Sequence, residues 1–352
     1  MVPNRALVFV QSSRGVPVPR EHVIVKEVGT FDIDAPPPEG TITTQTLYAS
    51  LDPSMRLRMT PPEDSKVFTP YQPGELITST ILMKVLRVDQ SVKDVKEGDV
   101  LRAYKPIQEY HIISGQDDIG SLDYIRDTEG IDLKVFPGPL GSPGLAACAA
   151  LNEIGKPKKG ETILVSAASG AVGQTVGQLA KHYGLTVLGI VGSDEKVNLI
   201  KDLGFDGAIN YKKGNLVQQL RGLAPNGVDI FYDNVGGEIL EAAIELMRDH
   251  GRIVNCGAAS QYNLPFDKQY GIRNLLPVVS KSLTLRGFSS TPGDWVFGYS
   301  AEHREKMREL IKSSEVKPIL SVTKELGKRP GALVELFRGD KTGKAVLDFC
   351  VS

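Results

Sequence analysis

Seven consecutive residues, Ala167-Ala168-Ser169-Gly170-Ala171-Val172-Gly173, have the make-up of a phosphate cradle. Gly170 lets the backbone approach a pyrophosphate, Gly173 lets a helix pack closely on a sheet, and the free N–H groups of the helix start receive the anion. Ala168 stands where the commoner fingerprint has its first glycine, so the three-glycine pattern is broken, and a tight turn that binds nothing is the competing reading. A second group, Gly192-Ser193-Asp194-Glu195-Lys196, follows the apolar run 187–191. An acid at such a strand tip bonds the ribose 2′-OH of NAD. A small residue there leaves room for a 2′-phosphate, with Lys196 as countercharge and Ser193 as a hydrogen-bonding group. These residues favour NADP, while Asp194 leaves NAD open. The plainer alternative is that Ser193 or Asp194 caps the next helix and Lys196 lies on its exposed face.

A cradle of this kind needs a strand before it and a helix behind it. The run 162–166 reads as a buried strand, and Val172, Val176, Leu179, Ala180 and Tyr183 recur at helical spacing. Further strands are expected at 186–191, 207–210, 228–232, 252–256 and 283–288, alternating with helical patterns such as Leu240, Ala243, Ile244 and Met247. The alternation predicts βαβ units and an α/β fold with a doubly wound parallel sheet. Its last strand, 282–287, falls near a sheet edge, where pairing with a second subunit would protect it. Before about residue 140 the chain is proline-rich and β-like, with runs at 22–25, 41–48 and 79–88 and a turn at 96–99 feeding Val100 and Leu101. This predicts a small barrel or sandwich, with residues 61–66 as an exposed loop. The tail from about 318 returns to a mixed pattern that could rejoin the first domain.

Composition narrows the function classes. At 352 residues the chain exceeds the roughly 250–300 at which one hydrophobic core stops growing, so two domains are expected. Lys and Arg number 41 against 42 Asp and Glu, which gives no bias toward nucleic acid. No apolar stretch reaches the ~18 residues of a membrane span, and Met1-Val2-Pro3-Asn4-Arg5 lacks the apolar core of a signal peptide. Cys148, Cys256 and Cys350 are isolated from one another, which points to a reducing compartment, the cytosol. His22, His111, His182, His250 and His303 show no ligand-like spacing, no Gly-His-Glu occurs and no four-cysteine lobe exists. No zinc site is therefore expected.

Several motifs in order resemble the medium-chain dehydrogenase/reductase superfamily, in its zinc-independent branch of prostaglandin reductases and alkenal double-bond reductases. They are Leu51-Asp52-Pro53-Ser54-Met55-Arg56, Gly141-Ser142-Pro143-Gly144-Leu145, the glycine turn, 192–196, Asp233-Asn234-Val235-Gly236-Gly237, 256–262 and 279–288. The likeness spans nearly the whole chain. It implies a GroES-like β-barrel domain over residues 1–139 and 319–352, a Rossmann NADP-binding domain over 140–318, and an active site between them. It also implies a homodimer. By the resemblance, the backbone of Gly170, Ala171, Val172 and Gly173 meets the pyrophosphate, and Lys196 and Tyr211 hold the adenosine phosphate end, where Ser193 could add its hydrogen bond. Asn234, Cys256, Gly257, Ala258, Ser260, Tyr262, Phe288, Ser289 and Ser290 embrace the ribose and nicotinamide. The family's C-terminal motif has an asparagine where this chain has Lys341.

The activity implied is NADPH-dependent reduction of the carbon–carbon double bond of an enone or alkenal. Hydride adds at the β carbon, charge gathers on the carbonyl oxygen, and a preorganised donor lowers the barrier. The resemblance makes Tyr262 that donor, because its phenol is neutral at pH 7; packing on the cofactor is its alternative role. Ser54, Arg56, Ser142 and Cys148 are expected to line the substrate pocket. Ser54 replaces a usual tyrosine, Ser142 a frequent methionine, and Ala146-Ala147-Cys148-Ala149 stands where Thr-Ala-Tyr is common. Smaller side chains there predict tolerance of a bulky aryl enone or enal. Quinone reduction and cofactor binding without turnover are the rival functions.

Overall fold

The computed structural model describes residues 1–65, 67–115, 122–289 and 294–350. Two compact units emerge: residues 1–137 with 321–340 and 345–352, and residues 138–320 with 341–344.

The first unit is built on antiparallel pairing. β1 (Val2–Phe9) pairs with β2 (Val23–Phe31). A seven-stranded sheet is made from β3 (Thr41–Ser50), β4 (Thr78–Val88), β5 (Val100–Pro106), β6 (Tyr110–Ser114) and β7 (Asp123–Tyr124), joined by two late strands. Inward residues of β3 and β4, among them Ile42, Ala49, Ile81 and Met83, make one buried cluster with Met59, Leu101 and Leu333. Strand β2 runs well past the expected 22–25. Its outer half, Lys26 to Thr30, is exposed and carries no apolar alternation, and pairing with β1 alone holds it extended. The loop expected at 61–66 contains a short 3-10 turn at Pro62–Asp64, and Lys66 lies outside the described residues.

The second unit starts with α1 (Ser142–Ala150) and continues as β8 (Thr162–Ser166), α2 (Ala171–His182), β9 (Thr186–Val191), α3 (Asp194–Asp202), β10 (Gly207–Asn210), α4 (Leu216–Leu223) and β11 (Val228–Asp233). It ends with α5 (Gly237–Leu246), β12 (Met247–Asn255), α6 (Leu276–Ser280), β13 (Thr284–Gly287) and α7 (Ser300–Lys312). The chain then adds β14 (Leu320–Thr323), α8 (Arg329–Arg338) and β15 (Lys344–Asp348). The central sheet is parallel throughout, in the order β10-β9-β8-β11-β12-β13. Strands β8 and β11 are nearly continuous buried runs, as strands covered by helices on both faces must be. This is the Rossmann-type, doubly wound α/β fold expected from the sequence.

β12 begins at Met247, earlier than the apolar run 252–256, and takes in the charged residues Arg248, Asp249 and His250. A register irregularity against β11 lets it do so. On α2, Val176, Leu179 and Ala180 face the core as their spacing predicts. Gln174 and Gln178 are buried as well: their side chains bond the backbone of Ile319 and Lys317, so the polar face of this helix is also covered.

Candidate active site

In an open α/β sheet a ligand binds outside the carboxyl ends of the strands, where the strand order reverses. Here that point lies between β8 and β11. The glycine turn follows β8, residues 192–196 follow β9, residues 234–237 follow β11, and the 256–262 loop follows β12. Every cofactor residue expected in this unit and described therefore sits on or beside one edge of one sheet; Ser290 lies outside the described residues.

The turn after β8 is tight. Ala167 adopts a left-handed φ of 47°, and Gly170 N–H donates to Ala167 O at 2.9 Å. Gly170 is the N-cap of α2 and offers no side chain to cap it. The first-turn N–H groups of an uncapped helix need a partner from elsewhere, and an anion is the partner they suit. A Cβ on Gly173 would stand 2.4 Å from Ala167 O and 2.8 Å from Ala168 Cα. Only glycine lets α2 approach this closely, and the cradle fits a dinucleotide pyrophosphate.

The end of β11 is tied to the end of β8 by a pair that pattern reading missed. Ser166 Oγ donates to Asp233 Oδ1 at 2.8 Å and accepts from Asn234 N–H at 2.8 Å. Asp233 is fully buried and also accepts from the N–H groups of Val235 and Gly236. Burial pushes its carboxyl above the usual range, against the opposing pull of these donors. The signal was present in the sequence: Ser166 and Asp233 are polar residues that close otherwise apolar runs. Asn234 spends its carboxamide N–H on Ser166 O at 2.8 Å, so its side chain is a strap across two strand ends.

The 256–262 loop is laced onto this turn. Cys256 and Gly257 N–H groups donate to Asp233 O, Ala259 to Asn234 O and Ser260 to Val235 O. The Cys256 thiol is pushed up to about 12 by burial, which disfavours the thiolate a nucleophile would need. Tyr262 folds back over the loop, where its hydroxyl accepts from Ala258 N–H at 3.2 Å. Burial raises the pKa of this phenol above its ordinary value.

The tip of β9 is more open. Ser193 Oγ accepts from Lys196 N–H at 3.3 Å, so Ser193 does cap α3. Asp194 is exposed and turned away, bonded by Asn210 at 3.0 Å and paired with Lys213. Tyr211, 40% exposed, presents its ring edge to Gly192. Phe288 packs on Trp295, with ring centroids 6.1 Å apart, beside Leu145 and Ala149, and Ser289 is exposed.

Two of the four expected pocket residues need correction. Cys148 is 0% exposed, inside α1, with its thiol raised to about 11 by burial and bonded by Asn152 Nδ2. It is packed within the unit and lines no open surface. Arg56 is 2% exposed and donates to the carbonyls of Ser13 at 2.9 Å and Gly15 at 2.8 Å, so it organises a loop of the first unit. Burial lowers its pKa to about 10. Ser54 on the first unit and Ser142 on the second are exposed. Four histidines have local partners: His22 accepts from Val18 N–H, His111 meets Thr46, His182 meets Glu315 and His303 meets Pro139 O. Among the described residues, no group of three or more His, Cys, Asp or Glu could hold a metal ion.

The N-terminal domain of oxidoreductases matches residues 5–119, and the family described as zinc-binding dehydrogenase matches residues 171–313. The NADP-dependent oxidoreductase RED1 of Cochliobolus heterostrophus is 41% identical over 348 residues, spanning 99% of this chain and 98% of its own. The chain belongs to the zinc-independent medium-chain dehydrogenase/reductases, in the alkenal reductase branch. A second member, the NADP(+)-dependent 2-alkenal reductase of Nicotiana tabacum, is 39% identical over 91% of both chains. Among solved structures, CurA from Vibrio vulnificus in complex with NADPH is 28% identical and covers 99% of this chain and 100% of its own, with a TM-score of 0.87. Membership makes this an NADP(H)-dependent oxidoreductase.

Proposed function

We propose that this protein reduces the carbon–carbon double bond of α,β-unsaturated aldehydes and ketones, with Tyr262 donating to the carbonyl oxygen. The observation that carries this reading is the Tyr262 hydroxyl, fixed by the Ala258 amide and raised in pKa by burial. Accepting one bond orients the oxygen and leaves its own proton to be donated, and the raised pKa keeps that proton in place at neutral pH. NADPH supplies the hydride that adds at the β carbon. As charge moves onto the carbonyl oxygen, a donor already held in position stabilises it without rearranging. Protonation at the α carbon then completes the saturated product. The tobacco relative named 2-alkenal reductase supports the substrate class.

The cofactor assignment follows the sheet edge. The backbone of Gly170, Ala171, Val172 and Gly173 holds the pyrophosphate. Ser193, Lys196 and Tyr211 take the adenosine 2′-phosphate end. Asn234, Gly257, Ala258, Ser260, Phe288, Ser289 and the Cys256 backbone line the nicotinamide side, with Tyr262 beside them. Ser54 is the size filter for substrate, and Ser54→Tyr shifts preference toward smaller enones. Following NADPH absorbance with an alkenal, a quinone or no acceptor tests the reading: consumption fastest with the alkenal supports it, and consumption faster with the quinone, or none at all, overturns it.

We infer also that two copies pair along β13. This strand is the exposed edge of the sheet, and Leu275, Leu276, Val279 and Leu285 nearby are exposed apolar residues. Sedimentation of wild type and of Val279→Lys/Leu285→Lys measures this; a monomeric wild type rejects it.

A further inference from the structure

Residues 341–344 belong to the nucleotide-binding unit, although the residues on either side of them belong to the other. This short strap lies on the cofactor turn. Gly343 N–H donates to Ser169 O at 2.7 Å, and Gly343 bridges Gly170 in parallel register. Lys344 N–H donates to Ile319 O at 2.9 Å. Ile319 is itself held by Gln174 of α2, whose carboxamide bonds its carbonyl at 3.0 Å and its N–H at 2.9 Å. Gly343 has a φ of 72°, and a Cβ there would stand 2.2 Å from Ile319 O, so only glycine lets the strap lie so close.

The Lys341 carbonyl accepts from the Lys196 ammonium at 3.0 Å. Lys196 sits in the first turn of α3, directly behind the Ser193 cap. A cation there is opposed by the helix dipole, and a lysine is long and mobile, so helix stability does not explain it. The strap thus restrains the Lys196 side chain through a backbone acceptor.

We propose that the 341–343 strap is a positioning device for 2′-phosphate recognition: the Lys341 carbonyl holds the Lys196 ammonium at the adenosine end before the cofactor arrives. An ammonium has three donors, so a bond to one carbonyl does not prevent it from meeting a phosphate. Ordering the side chain in advance lowers the cost of binding only for ligands that use it. The inference rests on the assignment of Lys196 to the 2′-phosphate.

Calorimetric titration of the full-length protein with 2′,5′-ADP and with 5′-AMP tests both steps separately. Lys196→Met tests the assignment alone: it lowers the preference for 2′,5′-ADP by about tenfold or more. Gly343→Ala displaces the strap and keeps Lys196; it lowers the preference for 2′,5′-ADP over 5′-AMP by about three- to tenfold, whatever it does to the affinity common to both ligands. In the Lys196→Met background, Gly343→Ala changes the preference no further, because the strap acts through that side chain. Equal weakening of both ligands by Gly343→Ala, or an effect on the preference that persists without Lys196, overturns the proposal. So does an unchanged preference in Lys196→Met, which removes the assignment beneath it. Should Gly343→Ala not fold, Gln174→Met loosens Ile319 under the same strap and lowers the preference in the same direction by about twofold; an unchanged preference there overturns the proposal equally.

Discussion

The two sides of the sheet edge are built differently. On the side of β11 and β12, a buried carboxylate gathers a hydroxyl and backbone N–H groups, and the 256–262 loop is stitched to the 233–235 turn by four backbone bonds. On the side of β9 and β10, the same edge carries fewer and more exposed contacts: the half-buried Ser193 cap, the exposed Asp194 pairings, the Tyr211 N–H bond to Val191 O and the Lys196 bond to Lys341 O. Low-dielectric surroundings make each polar bond on the first side count for more, and make each missing partner cost more. The difference suits the division proposed above, with the reacting carbonyl on the first side and the hydrated phosphate on the second.

The glycine turn between the two sides is where the largest effect is expected. Gly173→Ala drives a methyl into backbone on two residues, with no flexible side chain to yield. Urea unfolding should show a loss of about 3 kcal/mol, with α2 forced off the sheet. NADPH binding should weaken by at least about tenfold, because the cradle and the helix start move together. A variant with wild-type stability and affinity would mean the close approach is not needed, and the contrast between the sides would lose its shared hinge.

Tyr262→Phe probes the buried side without disturbing its packing. Loss of a preorganised donor costs about 10²-fold in kcat toward an alkenal. The NADPH dissociation constant should stay within about twofold, since the ring remains. The pH profile gives the second reading. The donor is the protonated phenol, which is present below its pKa; burial raises that pKa, so the plateau of kcat reaches beyond the ordinary phenol value of about 10 rather than ending below it. A downward limb centred near pH 8 in wild type, absent from Tyr262→Phe, would contradict this geometry.

Ser166→Ala removes the link between β8 and β11. The Asp233 carboxylate loses one donor and the Asn234 N–H loses its acceptor, both in buried or half-buried surroundings. A loss of about 1–3 kcal/mol is expected, read by denaturant titration. It should be accompanied by a fall in kcat smaller than that of Tyr262→Phe, because the 256–262 loop keeps its backbone bonds.

Most of the sheet was legible because parallel strands covered on both faces write apolar runs: 162–166 and 186–191 coincide with β8 and β9, and the short half-buried edge run 207–210 with β10. What period alone could not show is polar burial. Gln174 and Gln178 look like an exposed helix face until the chain near residue 319 covers them. Arg56 and Cys148 stand in motifs that resemble pocket linings, yet one is spent on the Ser13 and Gly15 carbonyls and the other is packed inside α1. Long-range partners of this kind lie more than 40 residues away for Arg56 and more than 130 for the α2 glutamines, beyond any local pattern. Ser193 shows the converse. Its plainer reading as a helix cap is what the structure shows, and the same hydroxyl stands at the strand tip to which the proposed function assigns the adenosine end.

Asp194 supplies the smallest expected effect and the sharpest test of the open side. Its carboxylate is exposed, bonded by Asn210 and paired with Lys213, and these contacts hold its pKa below the usual range. Exposed ion pairs of this type contribute little in water. Asp194→Asn should therefore leave the melting temperature unchanged within error. If the acid had been the ribose ligand of an NAD site, the same substitution would weaken NADH and spare NADPH. With the carboxylate turned toward Lys213 instead, both dissociation constants should stay within about twofold of wild type. A selective loss of NADH affinity would show that Asp194 swings back to the ribose, and that the open side adapts to its ligand rather than presenting a prepared surface.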